Sequence, residues 1–167
     1  MNKTYKILVN TLAPSILANG GLRKKILKLS GFKIGSGLRI NSGFHFDSNN
    51  VQIGNNVVIN HFFNFFDAGK NAKLIIEDNV FIGPNCHIVA MSHEIGTSMQ
   101  RADKTYAKDI TIGRGSWIGA DVKILPGVTV AEGCVIGASA TVTKSTEPNG
   151  LYVGIPAKRI RDLVVNN

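Results

Sequence analysis

The side chains of this 167-residue sequence best suited to moving a proton are its four histidines, and His93 is distinguished from the others by its position. It opens the polar stretch HEIGTSMQRADKTYAKD, which interrupts a regular pattern of aliphatic residues. An imidazole titrates near neutral pH, so it can accept a proton and return it during a reaction. The sequence therefore predicts a general base at the start of a projecting loop.

The two cysteines, Cys86 and Cys134, offer a second chemistry, which is attack by a thiolate. Both stand at inward-facing offsets of the aliphatic pattern, so we interpret them as small buried side chains. They form no C-x-x-C pair and are too few for a disulfide framework. This cysteine usage favours a reducing compartment, the cytoplasm.

Metal binding is the other chemistry that histidines serve. Zinc takes three or four ligands, whereas His87 and His93 are six residues apart and fall on different faces of the structure that the pattern predicts. No third histidine has a suitable offset. The sequence therefore predicts no metal site.

The pattern that positions these residues repeats every six residues. A period of six is a multiple of two, so short strands satisfy it, and glycine or asparagine at fixed offsets supplies the backbone angles of a turn. Three such units make one coil of a triangular column, whose coils stack about 4.8 Å apart around the aliphatic side chains. The sequence predicts an all-β solenoid, a parallel β-helix. The aliphatic positions are Ile34, Ile40, Phe46, Ile53, Ile59, Phe65, Ile76, Ile82, Ile88, Ile112, Ile118, Ile124, Val130, Ile136 and Val142.

The limits of the repeat divide the chain into three parts. We expect a helical cap at residues 1–30, the β-helix at 31–147 with a loop at 94–109, and a C-terminal tail at 148–167. Loops that stand on a rigid scaffold commonly carry function, which agrees with the position of His93.

The N-terminal segment is basic and amphipathic. Leu22, Ile26 and Leu29 recur at near-helical spacing among four lysine and arginine residues, which predicts a short helix. A solenoid needs its terminal coil covered, so we interpret the helix as a cap; docking on an anionic membrane is the alternative role.

The net charge of +8 indicates an anionic partner. Nucleic acid is disfavoured, because the basic residues lie at the ends of the chain and do not alternate with exposed aromatic residues along a groove. No apolar run approaches the roughly eighteen residues of a membrane-spanning helix.

Several segments of the sequence together carry a resemblance to a known family. INHFFNFFDAG, IEDNVFIGPNCHI, ITIGRGSWIGADVKILPGVTV and VGIPAKRIRD occur in the order found in the hexapeptide-repeat acyltransferases. The chain resembles this family over residues 31–161, and most closely its sugar and polysaccharide O-acetyltransferases of the galactoside, maltose and capsule types. The resemblance implies a left-handed parallel β-helix and a homotrimer with clefts between subunits.

The resemblance also assigns roles at the acceptor side of the site. His93 matches the family's catalytic histidine, and Asn60 and Asp67 match residues that line the acceptor pocket. Asn60 and Asp67 are equally suited to be structural corner residues. Arg101 is expected to contact the substrate or to order the loop. Glu94 follows His93 where the maltose and galactoside enzymes have proline, which favours a capsule, exopolysaccharide or lipopolysaccharide sugar as acceptor.

The cofactor side is assigned in the same way. Trp117 matches the tryptophan that borders the coenzyme A cleft; its alternative role is a contact between subunits of the trimer. The glycine-rich turns would let an extended pantetheine lie against the backbone. Ala120 stands where related enzymes often have serine, so a hydroxyl donor is missing there. The residues implied to bind the cofactor are Trp117, Gly119, Ala120, Ala138, Lys144 and Arg161.

The sequence thus leads us to expect an acetyl-CoA-dependent O-acetyltransferase acting on a sugar or polysaccharide precursor, with direct transfer and no acyl-enzyme. Two alternatives stay open at this stage. One is a different acetyltransferase, acting on an amino-sugar nucleotide, an antibiotic or serine. The other is a β-helix that serves as a scaffold without catalysis.

Overall fold

The computed structural model describes residues 3–164, and most of its strands lie in three parallel sheets. We call them the first, second and third faces, in the order in which the chain meets them. Successive strands join the first, second and third face in turn, and each such cycle is one coil. The first face contains β1 (Lys33–Ile34), β4 (Val51–Ile53), β7 (Leu74–Ile76), β12 (Ile110–Ile112) and β15 (Thr129–Val130). The second face contains β2 (Arg39–Ile40), β5 (Val58–Ile59), β8 (Phe81–Ile82), β13 (Trp117–Ile118), β16 (Val135–Ile136), β18 (Gly150–Val153) and β19 (Lys158–Asp162). The third face contains β3 (His45–Phe46), β6 (Asn64–Phe66), β9 (His87–Val89), β14 (Lys123–Ile124) and β17 (Thr141–Val142).

The aliphatic residues of the six-residue pattern form the interior of the column. Equivalent positions of successive coils pair in register, as Ile76, Ile112 and Val130 do on the first face. Burial of such side chains contributes roughly 25 cal/mol per Å² of apolar surface, so these stacked rows are the main source of stability. The predicted interior placement is confirmed for every position of the pattern except Ile34, which is only partly buried.

Asparagine and glycine have separate roles at the corners between faces. Asn56 and Asn79 have positive φ angles, and the Asn56 amide donates to the Asn79 side-chain oxygen in the next coil. The glycines that follow the aliphatic residues were expected to supply turn angles, but their φ angles are not positive. A Cβ atom on Gly119 would lie 2.7 Å from the backbone nitrogen of Ala138, so glycine is required there for close stacking of coils.

The polar excursion between the third and fourth coils is a β-hairpin. Strand β10 (Met91–Ile95) pairs antiparallel with β11 (Ala102–Ala107). The expected loop at 94–109 therefore begins earlier and is regular. A ribbon with both sides in solvent buries no row of side chains, so it leaves no alternating pattern in the sequence.

Helical turns cover the open end of the first coil, as expected. They are α1 (Lys3–Ile7), a π-helical turn (Leu8–Leu12) and α2 (Gly20–Leu29). The Asn10 side chain donates to the backbone oxygen of Phe46 and accepts from its N–H, both at 2.9 Å. It thereby satisfies polar backbone groups at the exposed edge of the third face.

The buried side of α2 differs from the expected one. Ile26 and Leu27 pack into the core, whereas Leu22 and Leu29 are exposed. The side of α2 that meets the core is therefore centred on two residues adjacent in sequence, and the spacing of Leu22, Ile26 and Leu29 did not indicate it. Within residues 3–164, no helix has the length and apolar character needed to cross a membrane.

The segment expected to be a C-terminal tail continues the second face. Strand β18 pairs parallel with β16, and β19 turns back antiparallel on β18. Residues 165–167 of this segment, like residues 1 and 2 of the cap, lie outside the described part of the chain.

Candidate active site

The hairpin fixes the protonation pattern of His93. The His93 Nδ1 atom lies 2.8 Å from the backbone oxygen of Asp103 on the opposite strand and 3.4 Å from the Thr105 hydroxyl. A carbonyl oxygen can only accept a hydrogen bond, so Nδ1 carries the proton and donates it. In the neutral ring the lone pair is then on Nε2. His93, exposed on β10, thus has the tautomer that a general base requires.

A cavity of about 400 Å³ lies where the second face turns toward the third. The outward side chains of Phe81, Trp117 and Val135 occupy adjacent strands in register and form its apolar wall. Its other wall is backbone at the corner glycines, which lack side chains that would fill the space. The lining residues are Phe81, Gly83, Pro84, Trp117, Gly119, Ala120, Val135, Ile136, Gly137 and Ala138.

Four of the residues expected to bind the cofactor, Trp117, Gly119, Ala120 and Ala138, therefore lie together in one cavity. Arg161 is on the same face, in the row that runs from Trp117 through Val135 and Leu151. The distance from Trp117 to Arg161 along this row is three strand spacings, or about 14 Å.

Of two basic residues near the C terminus, one is exposed and the other is engaged in hydrogen bonds. Lys144 is exposed just after the last strand of the third face. Arg159, in contrast, donates hydrogen bonds to Asp162 and to backbone oxygens of Glu147 and Pro148. Arg159 therefore stabilises the end of the column.

The residues expected at the acceptor pocket have structural contacts. The Asn60 amide accepts from Asn41 at 3.1 Å and donates to the backbone oxygen of Ile82 at 3.1 Å, so it belongs to an asparagine ladder. Asp67 is completely buried and accepts from the N–H of Gly69. Arg101 donates to the backbone oxygen of Gly96 and closes the hairpin turn. This contact is compatible with the loop-ordering role, and the alternative prediction that Arg101 contacts the substrate stays untested.

The third face carries a row of polar and aromatic side chains, whose polar members, Asn64 and His87, were not expected at the acceptor. Asn64 and His87 are neighbours in register on adjacent strands, and the Phe66 ring stacks on the rings of His45 and His87. Strand β9, which carries His87, leads directly into the hairpin. The signal was available, because Asn64 and His87 precede an inward residue of the pattern, the same offset as that of Trp117.

The cysteines are buried, as expected. Burial raises the pKa of the Cys86 thiol to about 11, and its Sγ lies 3.1 Å from the backbone oxygen of Gly119, to which the thiol donates. The thiol is therefore protonated at neutral pH, whereas a nucleophile would have to be a thiolate. Among the described residues, His, Cys, Asp and Glu side chains form no group of three that could hold a metal ion.

A second and larger depression, of about 630 Å³, lies on the first face. Two of its charged side chains have hydrogen-bond partners: Glu77 accepts from the backbone N–H of Arg114, and the Arg114 guanidinium pairs with Glu132 at 2.8 Å. Hydrogen bonds from the backbone and side chain of Asn55 lower the pKa of Asp78. The depression contains no histidine or thiol, so we assign the chemistry to the hairpin and the apolar cavity.

Comparison with known proteins identifies the family to which the chain is similar. Residues 109–144 match the family model described as bacterial transferase hexapeptide (six repeats), and residues 73–98 match the hexapeptide repeat of succinyl-transferase. Galactoside O-acetyltransferase of Escherichia coli K12 is 36% identical over 114 residues, which are 68% of this chain and 55% of that protein. The chain spans about half the length of the curated relatives it matches.

Solved structures extend the similarity to nearly the whole chain. A galactoside acetyltransferase in complex with coenzyme A has a TM-score of 0.84 and 30% identity, covering 97% of this chain and 78% of that one. A hexapeptide-repeat acetyltransferase of Vibrio cholerae complexed with acetyl coenzyme A has a TM-score of 0.83 and 27% identity, covering 97% and 85%. The chain belongs to the hexapeptide-repeat acetyltransferases.

Proposed function

We propose that this protein is an acetyl-CoA-dependent O-acetyltransferase that transfers the acetyl group to a hydroxyl of a sugar or polysaccharide precursor in the cytoplasm. The observation that carries the proposal is the hydrogen bond from His93 Nδ1 to the Asp103 backbone oxygen, which leaves the lone pair on Nε2. Relatives solved with coenzyme A or acetyl coenzyme A support the identity of the acyl donor.

His93 acts as general base and then as general acid. Its Nε2 takes the proton of the acceptor hydroxyl as the hydroxyl oxygen bonds to the thioester carbonyl carbon. The same nitrogen returns the proton to the sulfur when the carbon–sulfur bond breaks. Nothing in this sequence of steps requires an acyl-enzyme, which agrees with the protonated thiol of Cys86.

The apolar cavity of the second face binds the pantetheine arm of the donor. Phe81 and Trp117 supply an apolar wall, and the backbone at Gly119 and Ala138 lets an extended chain lie close. The exposed cations Arg161 and Lys144 contact the phosphates by charge-assisted hydrogen bonds. Ala120 offers no hydroxyl, so an oxyanion donor at this position is a backbone N–H.

The acceptor lies beside the base of the hairpin, over the third face. The Asn64 amide nitrogen donates to the backbone oxygen of Phe62, which leaves its side-chain oxygen to accept from a sugar hydroxyl. The His87 ring supplies a further donor and acceptor, and the half-buried Phe66 ring supplies a stacking surface. We assign this role to the third-face row in place of Asn60 and Asp67, because the hydrogen-bonding groups of those two residues are engaged or buried.

A homotrimer completes the site. The hairpin leaves the column where the third face meets the first, whereas the cavity lies at the other edge of the third face. His93 does not line the cavity of its own chain, and the exposed tip residues Ile95 and Met99 show that the hairpin projects outward. We therefore propose that each site joins the cavity of one copy to the hairpin of its neighbour, in a left-handed β-helix of the kind that the family resemblance implies.

The proposal is tested by release of the coenzyme A thiol from acetyl-CoA in the presence of an acceptor panel. The panel contains neutral sugars, oligosaccharides of capsule and lipopolysaccharide type, amino-sugar nucleotides and serine. We expect turnover with a hydroxyl acceptor and an ester product by mass spectrometry. An amide product on an amino sugar would replace this function with N-acetylation, and absence of both turnover and coenzyme A binding would support the scaffold alternative.

A further inference from the structure

The whole net charge of the chain is carried by its first 46 residues. These residues contain eight of the 19 lysine and arginine residues and no aspartate or glutamate. The other eleven basic residues are balanced by the eleven acidic residues, all of which lie at or beyond Asp47. In the fold, residues 3–46, which hold all eight of these basic residues, form the helical turns and the first coil. The column therefore has one strongly cationic end, and the rest of it has no net charge.

The same end exposes large aliphatic side chains. Ile16 and Leu17, in the connection between the helical turns, are 86% and 91% exposed. Leu22 and Leu29 are exposed on α2, where they share a face with Lys25, since these positions are three, four and seven residues apart. We call this surface the end patch; it comprises Leu12, Ile16, Leu17, Leu22, Lys25, Lys28 and Leu29.

Hydrogen bonds hold in place the connection that exposes Ile16 and Leu17. Arg23 donates to the backbone oxygens of Ala13 and Ser15, and the Pro14 backbone oxygen accepts from Gly43 of the first coil. These bonds fix both the start of the connection and its distance from the column. Ile16 and Leu17 are thus presented to solvent by a secured loop.

The end patch also faces away from the column. Ile26 and Leu27 of α2 pack into the core at the first coil, so the opposite side of the helix, with Lys25, Lys28 and Leu29, points outward from that end. Aliphatic side chains and lysines on one outward surface are the combination by which proteins lie on anionic bilayers. The aliphatic groups enter the acyl boundary while the lysines contact lipid phosphates.

We propose that the end patch docks the protein on an anionic membrane surface. The charge distribution selects this occupant, because a second copy would bring the same lysines face to face. A nucleic acid would neutralise the lysines but would leave Ile16 and Leu17 in water. The inference does not depend on the acetyltransferase activity, since it rests on the cap alone.

The test is sedimentation of the full chain with vesicles, without acetyl-CoA or acceptor. One set of vesicles is phosphatidylcholine, and the other contains about 30% phosphatidylglycerol. We expect at least about tenfold stronger partitioning into the anionic vesicles, which decreases as salt is raised. Absence of partitioning, equal partitioning into both sets, or binding to RNA in the absence of vesicle binding would overturn the proposal.

Variants separate docking from general charge attraction. Ile16→Ser combined with Leu17→Ser, and Lys25→Glu combined with Lys28→Glu, are each expected to reduce partitioning at least about tenfold. These positions are exposed, so the fold is retained, which circular dichroism verifies. The matched control is Lys70→Glu with Lys73→Glu, which changes the net charge equally but lies away from the cap. Equal loss in this control would show that the end patch has no special role and would overturn the proposal.

Discussion

His93 illustrates what a single residue can reveal in the sequence and what it cannot. Its position at the start of a polar interruption was sufficient to single it out. Its tautomer could not be predicted, because the group that fixes it is the backbone oxygen of Asp103, ten residues away on the partner strand. Every residue has a backbone oxygen, so the residue type at a position does not indicate such a contact. Asn64 was missed for a different reason: its offset was visible, but polar residues at outward positions are common.

Replacement of His93 by alanine is expected to lower kcat by about 10²–10⁴, because the proton transfer loses its base. The measurement is thiol release at saturating acetyl-CoA, with thermal unfolding to verify the fold. His61→Ala is the matched control, since His61 is exposed at a corner, where its ring bonds to Ser42. Full turnover by the His93 variant would exclude the proposed base.

Cys86 provides a prediction about pH. Its pKa is raised by burial from 9.0 to about 11, so the thiol ionises more readily in the unfolded chain than in the folded one. The stability that this contributes is fully present below pH 9 and is lost as the pH rises through about 11. As the pH rises from 9 to about 11, the free energy of unfolding measured with urea should therefore fall less for Cys86→Ala than for the unaltered protein. The variant should also keep turnover within about twofold, and a loss of activity like that of His93→Ala would instead favour a thiol mechanism.

At the scale of elements, the interior was predictable and the surface was not. The six-residue pattern identified inward positions such as Ile118 and Ile136 because burial leaves a period in the sequence. The hairpin and the second-face strands at 150–162 have mostly outward side chains, so they were interpreted as a loop and a tail. The role of the corner glycines was also misjudged. Sequence alone does not distinguish a glycine that is needed for a positive φ angle from one that is needed because a Cβ atom would collide with the next coil.

Gly119→Ala tests the close approach of coils. The added Cβ atom would lie 2.7 Å from the backbone nitrogen of Ala138, so the coils must separate, and we expect the free energy of unfolding to fall by about 1–3 kcal/mol. Gly20→Ala is the control, because its Cβ meets no atom within 4 Å. Both are compared by urea unfolding at one protein concentration, since unfolding of an oligomer depends on concentration. Equal stability of the two variants would show that the coils have room for a side chain.

At the scale of the whole molecule, the proposed site has two parts at different edges of the third face. The cavity with Trp117 is at one edge, and the hairpin with His93 leaves from the other. The sequence supplied both parts, but only the order of strands around the column shows that they are separated. A closed ring of copies, in which each hairpin meets the neighbouring cavity, brings them together. Light scattering should then give a particle of three chains of 18.0 kDa.

Mixing two inactive variants tests this arrangement most directly. His93→Ala removes the base and keeps the cavity, whereas Ala138→Trp fills the cavity and keeps the base. Each variant alone should be inactive. Coexpressed in equal amounts, they should form mixed trimers in which about a quarter of the sites join an intact hairpin to an intact cavity, so about a quarter of the wild-type thiol-release activity should return. If the mixed particles form and no activity returns, the base and the cavity belong to one chain, and the shared site is wrong.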